Sequence, residues 1–79
     1  MWKEGSIGVP SQEGNYTYCR YWVKVYEEPS EYGIKGGKIS KLMIKRGDEI
    51  ICNYDRGWDV KATAYEARFA LKILIHEYN

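Results

Sequence analysis

The chain has 79 residues, 44% of them apolar and 15% aromatic, and twelve basic side chains against eleven acidic ones leave a net charge of +1. A chain of this length makes one domain (residues 1–79) with a modest core, and its apolar content excludes disorder. The balanced charge singles out no bulk electrostatic partner. No apolar run approaches the ~20 residues of a membrane-spanning helix, and no basic leader precedes an apolar core, so the expectation is a soluble, cytoplasmic protein with no membrane partner.

Residues 1–10 hold Trp2 and Ile7 among small side chains and stop at Pro10, which fits an edge strand or an arm. Residues 11–15, SQEGN, form a polar turn. Residues 16–26, YTYCRYWVKVY, are the clearest strand, rich in aromatic and β-branched residues and alternating in character. Thr17, Cys19, Tyr21, Val23 and Val25 make its core face. Tyr16, Tyr18, Arg20, Trp22, Lys24 and Tyr26 make the other.

Residues 27–31, EEPSE, suit a type I turn. Gly36 and Gly37 then predict a bulge or a broken strand within residues 32–46. In residues 39–46 alternation places Ser40, Leu42 and Ile44 on one face and Ile39, Lys41, Met43 and Lys45 on the other. Gly47 and Asp48 reverse the chain, and residues 49–54, EIICNY, return with Ile50, Cys52 and Tyr54 sharing a face. Residues 55–59, DRGWD, read as a tight connection into a helix, with Gly57 free to take a positive φ.

The helix spans residues 63–78. Thr63 and Glu66 have capping-box spacing. Ala64, Ala67, Leu71, Leu74 and Tyr78 recur at three and four as a core-facing stripe, while Arg68, Lys72 and His76 follow one another at four. The fold expected is therefore α+β, a meander of three or four antiparallel strands across residues 16–54 with the C-terminal helix packed on one face.

Two surfaces stand out. On the helix, Tyr65, Phe69 and Ile73 form a second apolar row roughly opposite the stripe. Either the N-terminal segment or a loop folds over it, or a second copy of the chain does, making a homodimer. On the sheet, the row Tyr16, Tyr18, Arg20, Trp22, Lys24, Tyr26 interleaves rings with cations, and Lys35, Lys38, Lys41, Lys45 and Arg46 fall on the strand expected to pair with it. Rings on an open sheet stack on unpaired bases and cations neutralise phosphates, so nucleic acid is one reading. A protein contact and plain cross-strand pairing are the others.

Other motifs explain themselves locally. IKGGKIS lacks the phosphate-loop pattern, since Tyr32 and Ile39 stand where a glycine and a Ser or Thr are needed. The RGD of residues 46–48 fits a hairpin reversal. His76, the sole histidine, lacks an orienting partner, because Glu77 beside it points elsewhere round the helix. Asp55, Arg56, Trp58 and Asp59 either brace the corner or anchor a partner. Cys19 and Cys52 are too few for a disulfide framework and lack metal spacing, so they read as free buried thiols. No nucleophile and base pair up. The expectation is a non-enzymatic interaction module, without cofactor or metal, that self-associates, with nucleic-acid binding as the alternative.

Two resemblances can be stated on particular residues. The half that runs from Gly33 through KLMIKRGDEIICNYDRGWD resembles small proteins of unassigned function from bacteria and mobile elements, which implies family membership and no chemistry. Three antiparallel strands followed by one helix is similar to DNA-binding domains of the AP2 and tyrosine-integrase arm type, which read the major groove with the sheet. Thr63, Ala64, Glu66 and Ala67 match the helix start of those domains. Their arginine- and tryptophan-bearing strand motifs do not align with this chain, and no functional residue is carried over.

Overall fold

The computed structural model describes residues 1–11 and 13–79. It has five strands, β1 (Trp2–Pro10), β2 (Tyr16–Val25), β3 (Ile39–Arg46), β4 (Glu49–Asp55) and β5 (Trp58–Val60), followed by helix α1 (Tyr65–Tyr78). The strands form one antiparallel sheet in chain order. The class is α+β as expected, but with five strands rather than three or four. The turn expected over residues 11–15 includes Gln12, which lies outside the described residues.

The extra strands come from two segments. Residues 1–10 are the edge strand, not the arm, of the two forms expected: β1 pairs with β2 along its whole length, from Trp2 opposite Lys24 to Pro10 opposite Tyr16. Two glycines in β1 face tyrosines of β2. A Cβ on Gly5 would lie 2.7 Å from the Tyr21 hydroxyl and one on Gly8 3.2 Å from the Tyr18 ring, so each ring covers its bare neighbour. The DRGWD segment is not a connection into the helix but a hairpin. Arg56, rather than Gly57, takes the positive φ of 60°. The turn closes early because Trp58 pairs with Tyr54, their rings 4.9 Å apart and edge to face.

Two bulges reset the faces. Between β2 and β3 the register slips after Lys24, leaving Ser40 as the extra residue, its hydroxyl donating to the Lys24 carbonyl at 3.3 Å. Ile39 therefore turns inward with Leu42 and Ile44 and does not share the face of Lys41, as alternation predicted. Between β3 and β4 the extra residue is Ile51, which is buried beside Cys52 and Tyr54, while Ile50 is 43% exposed. That corrects the grouping of Ile50 with Cys52 and Tyr54.

Helix α1 lies on β1, β2 and β3 and buries Ala67, Ala70 and Leu74. Ala64, Leu71 and Tyr78 of the expected stripe flank that centre half-buried, and Ala70, which the stripe omitted, sits within it. Two alanines at the contact let the helix approach closely. The capping box does not form: the N-cap falls one residue later than expected, at Ala64, which has no hydrogen-bonding side chain, and the Glu66 carboxylate lies 3.1 Å from the Arg46 guanidinium.

The segment between β2 and β3 is a short 3-10 turn, Ile34–Gly36, where a bulge or broken strand was expected. The Asn79 side chain holds it. Its Oδ1 accepts from the Ile39 N–H at 3.1 Å and its Nδ2 donates to the Ile34 carbonyl at 2.9 Å.

Candidate binding face

The sheet face away from α1 carries the row read from the sequence. Strand alternation projects Tyr16, Tyr18, Arg20, Trp22 and Lys24 there. Tyr16 and Tyr18 stack at 6.5 Å and 29°, both well exposed. The Arg20 guanidinium lies 5.2 Å from the Trp22 ring centre, and the Lys24 ammonium 5.5 Å from that of Tyr26, within cation–π range.

The cross-strand register adds what no single strand reveals. Arg20 stands opposite Lys45, Trp22 opposite Met43, and Lys24 opposite Lys41. Two cation–cation pairs thus bracket one aromatic position, although like charges directly opposite each other destabilise a sheet. Lys41 finds Asp55 at 3.8 Å. Among the described residues neither Arg20 nor Lys45 has an ion-pair partner.

On the other flank β1 places Glu4 opposite Trp22 and Trp2 opposite Lys24. Trp2 and Trp22, with Met43, Asn53 and Asp55, border an apolar groove of about 540 Å³. Trp2 was missed as a site residue because residues 1–10 gave no clear alternation; its even spacing from Pro10 is the only signal of the shared face.

Of the five further cations expected beside the row, only Lys41 and Lys45 join it. Lys35 falls in the 3-10 turn, with φ 54°, and Lys38 precedes β3. Arg46 turns toward the helix side, bonding Glu49 at 2.7 Å and Glu66 at 3.1 Å. Those two carboxylates hold its guanidinium above its usual range.

The helix row is divided. Tyr65 is 55% and Ile73 40% exposed, but Phe69 is half-buried and packed against the core, its ring 6.0 Å from that of Tyr65. The RGD residues sit in the β3–β4 hairpin, where Gly47 has φ 61°. Asp55, Arg56, Trp58 and Asp59 belong to the β4–β5 hairpin, and His76 is exposed on α1.

Both cysteines are free and buried. Burial pushes the Cys52 thiol up to about 11 and raises that of Cys19, to which Glu66 adds and against which Arg46 works. Among the described residues no three His, Cys, Asp or Glu side chains gather as a metal site, and no helix is long and apolar enough to cross a membrane.

No curated protein and no solved structure matches this chain. One family model does, over residues 1–79, and the chain accordingly belongs to the family described as Domain of unknown function (DUF7678).

Proposed function

We propose that the chain is a non-enzymatic binding module whose working surface is the open sheet face, and that the face takes single-stranded nucleic acid. The observation that supports this most is the register that sets Arg20 against Lys45 and Lys24 against Lys41 around Trp22. An empty sheet is weakened by such pairs, and a polyanion along the strand relieves them. Side chains of one face recur every ~6.7 Å along a strand, so β2 offers Tyr16, Tyr18 and Trp22 as platforms for unstacked bases, with Tyr26 just beyond its end and cations among them for phosphates.

Titrating a labelled mixed-sequence oligonucleotide at several salt concentrations tests the reading. Neutralising three or four phosphates gives a log–log salt slope of about −2 to −3 for a single strand. Trp22→Ala should weaken binding while leaving the chain folded. No binding to any strand at low salt would overturn the proposal.

A second reading, self-association through Tyr65, Phe69 and Ile73, is favoured by the exposure of Tyr65 and Ile73 on the outer side of α1. Sedimentation should then show a dimer that Ile73→Glu dissociates. A monomer at high micromolar concentration removes this reading.

A further inference from the structure

At the end of the sheet where β2 leads into residues 26–38, cations converge from three elements. Lys24 comes from β2, Lys41 from β3 and Arg56 from the β4–β5 turn, and they line one cleft of about 220 Å³ with Tyr26, Ser30 and Ser40. None of the residues lining it is acidic. The cleft is smaller than the roughly 300–1,000 Å³ of sites for larger organic ligands, which leaves room for a small anion.

Its hydrogen-bonding groups are directional. The Ser40 hydroxyl proton is used on the Lys24 carbonyl, whereas Ser30 Oγ accepts from the Tyr32 N–H at 3.1 Å and keeps its own proton to give. The Tyr26 phenol is a second donor. Its surroundings are electropositive: Lys24, by hydrogen bond and by charge, holds the phenol below its ordinary range, and Ser40 and Arg56 act in the same direction. Arg56 reaches the cleft from a left-handed backbone that a non-glycine residue seldom adopts, and its N–H lies 3.4 Å from the Ser40 carbonyl. The strained turn and the buried bulge residue thus meet where the cations converge.

We propose that this cleft binds a phosphomonoester dianion between Lys24, Lys41 and Arg56, with Tyr26 and Ser30 donating to its oxygens. Three cations and two hydroxyl donors answer a group that carries about −1.5 to −2 charges and three acceptor oxygens. Of the three cations, Lys41 has an ion-pair partner, the half-exposed Asp55 carboxylate at 3.8 Å. Lys24 and Lys41 belong to the open face as well, so a strand lying on that face ends at the cleft. The terminal phosphate of that strand is the first source, and this part of the inference rests on the proposed function. A free phosphate or mononucleotide is the second.

The test compares one oligonucleotide sequence with and without a 5′- or 3′-terminal phosphate, alongside inorganic phosphate and a nucleoside monophosphate. Binding is read by anisotropy and by the NMR signals of Tyr26 and Ser30. A terminal phosphate should tighten binding about tenfold, the scale of one hydrogen bond to a charged group. Arg56→Asn, which tolerates the left-handed backbone, should abolish the difference. Tyr26→Phe should reduce it.

Equal binding of phosphorylated and unphosphorylated strands, with no shift at Tyr26, would overturn the cleft and leave the sheet-face reading standing. Inorganic phosphate shifting Tyr26 and Ser30, with no strand bound, would support the cleft and overturn the sheet-face reading. Absence of every response would overturn both.

Discussion

Beneath α1, β2 and β3 present Cys19, Val23, Leu42 and Ile44, each at most 1% exposed, while the alternate positions of the same strands turn Arg20, Trp22, Lys24, Lys41 and Lys45 away from the helix. The covered side is arranged for burial, with alanines at the helix contact and an isoleucine turned inward by each bulge. The other side sets cations against cations, a choice that stability alone does not reward. Burial explains one face and leaves the second, whose paired cations are the ground of the proposed binding, unexplained.

The largest contrast should appear on truncation. Ile44→Ala removes a fully buried side chain and should cost about 2–5 kcal/mol in a denaturant titration, whereas Met43→Ala, its neighbour on the open side, should cost less than about 1 kcal/mol. Similar losses at both positions would mean that the open face is covered in solution. Next in size is the Asn79 clasp. Asn79→Ala leaves the Ile39 N–H and the Ile34 carbonyl without their partner and should cost about 1–3 kcal/mol. Hydrogen exchange at Ile39 should accelerate with it.

A third effect separates the faces by pH. On the covered side the Tyr21 hydroxyl lies 3.4 Å from that of Tyr78, and this hydrogen bond, with burial second, pushes the Tyr21 phenol up to about 12. A folded-state value raised above the ordinary 10 gives a contribution that is whole below pH 10 and lost as pH rises toward 12. Stability should therefore fall over that window, and fall less in Tyr21→Phe. Equal alkaline loss in both proteins would refute the contact.

How far the residues alone reveal these features depends on whether one strand or several encode them. The β2 face and the helix are visible because each repeats its own period along one segment. The β4 face is not, since Ile50 and Ile51 are identical neighbours and alternation cannot tell which of them points inward. Residues 63–66 carry a capping-box pattern, yet the helix starts with Ala64 as its N-cap, and Glu66 pairs with Arg46 of another element. The Arg20–Lys45 opposition depends on how β2 and β3 align, and the cleft gathers Lys24, Lys41 and Arg56 from three elements. Such features are written in the pairing, not in any one stretch.

The smallest effect on stability is the sharpest on purpose. Lys45→Glu turns the Arg20–Lys45 opposition into an attraction without disturbing the Arg20–Trp22 contact, and should stabilise the free chain by about 0.2–1 kcal/mol. The same change should weaken strand binding and flatten the salt slope by about 0.7, one phosphate contact of a single strand. Lys41→Glu offers the control, because Asp55 already stands 3.8 Å from Lys41 and a new carboxylate there meets an old one. That variant should lose binding but gain less stability than Lys45→Glu, because the attraction it makes with Lys24 opposite is offset by repulsion from Asp55. Opposite signs for Lys45→Glu, stability up and affinity down, are what a surface maintained for a ligand predicts. If Lys45→Glu leaves affinity and salt slope unchanged, the paired cations are screened surface charges and the open face has no polyanion to bind.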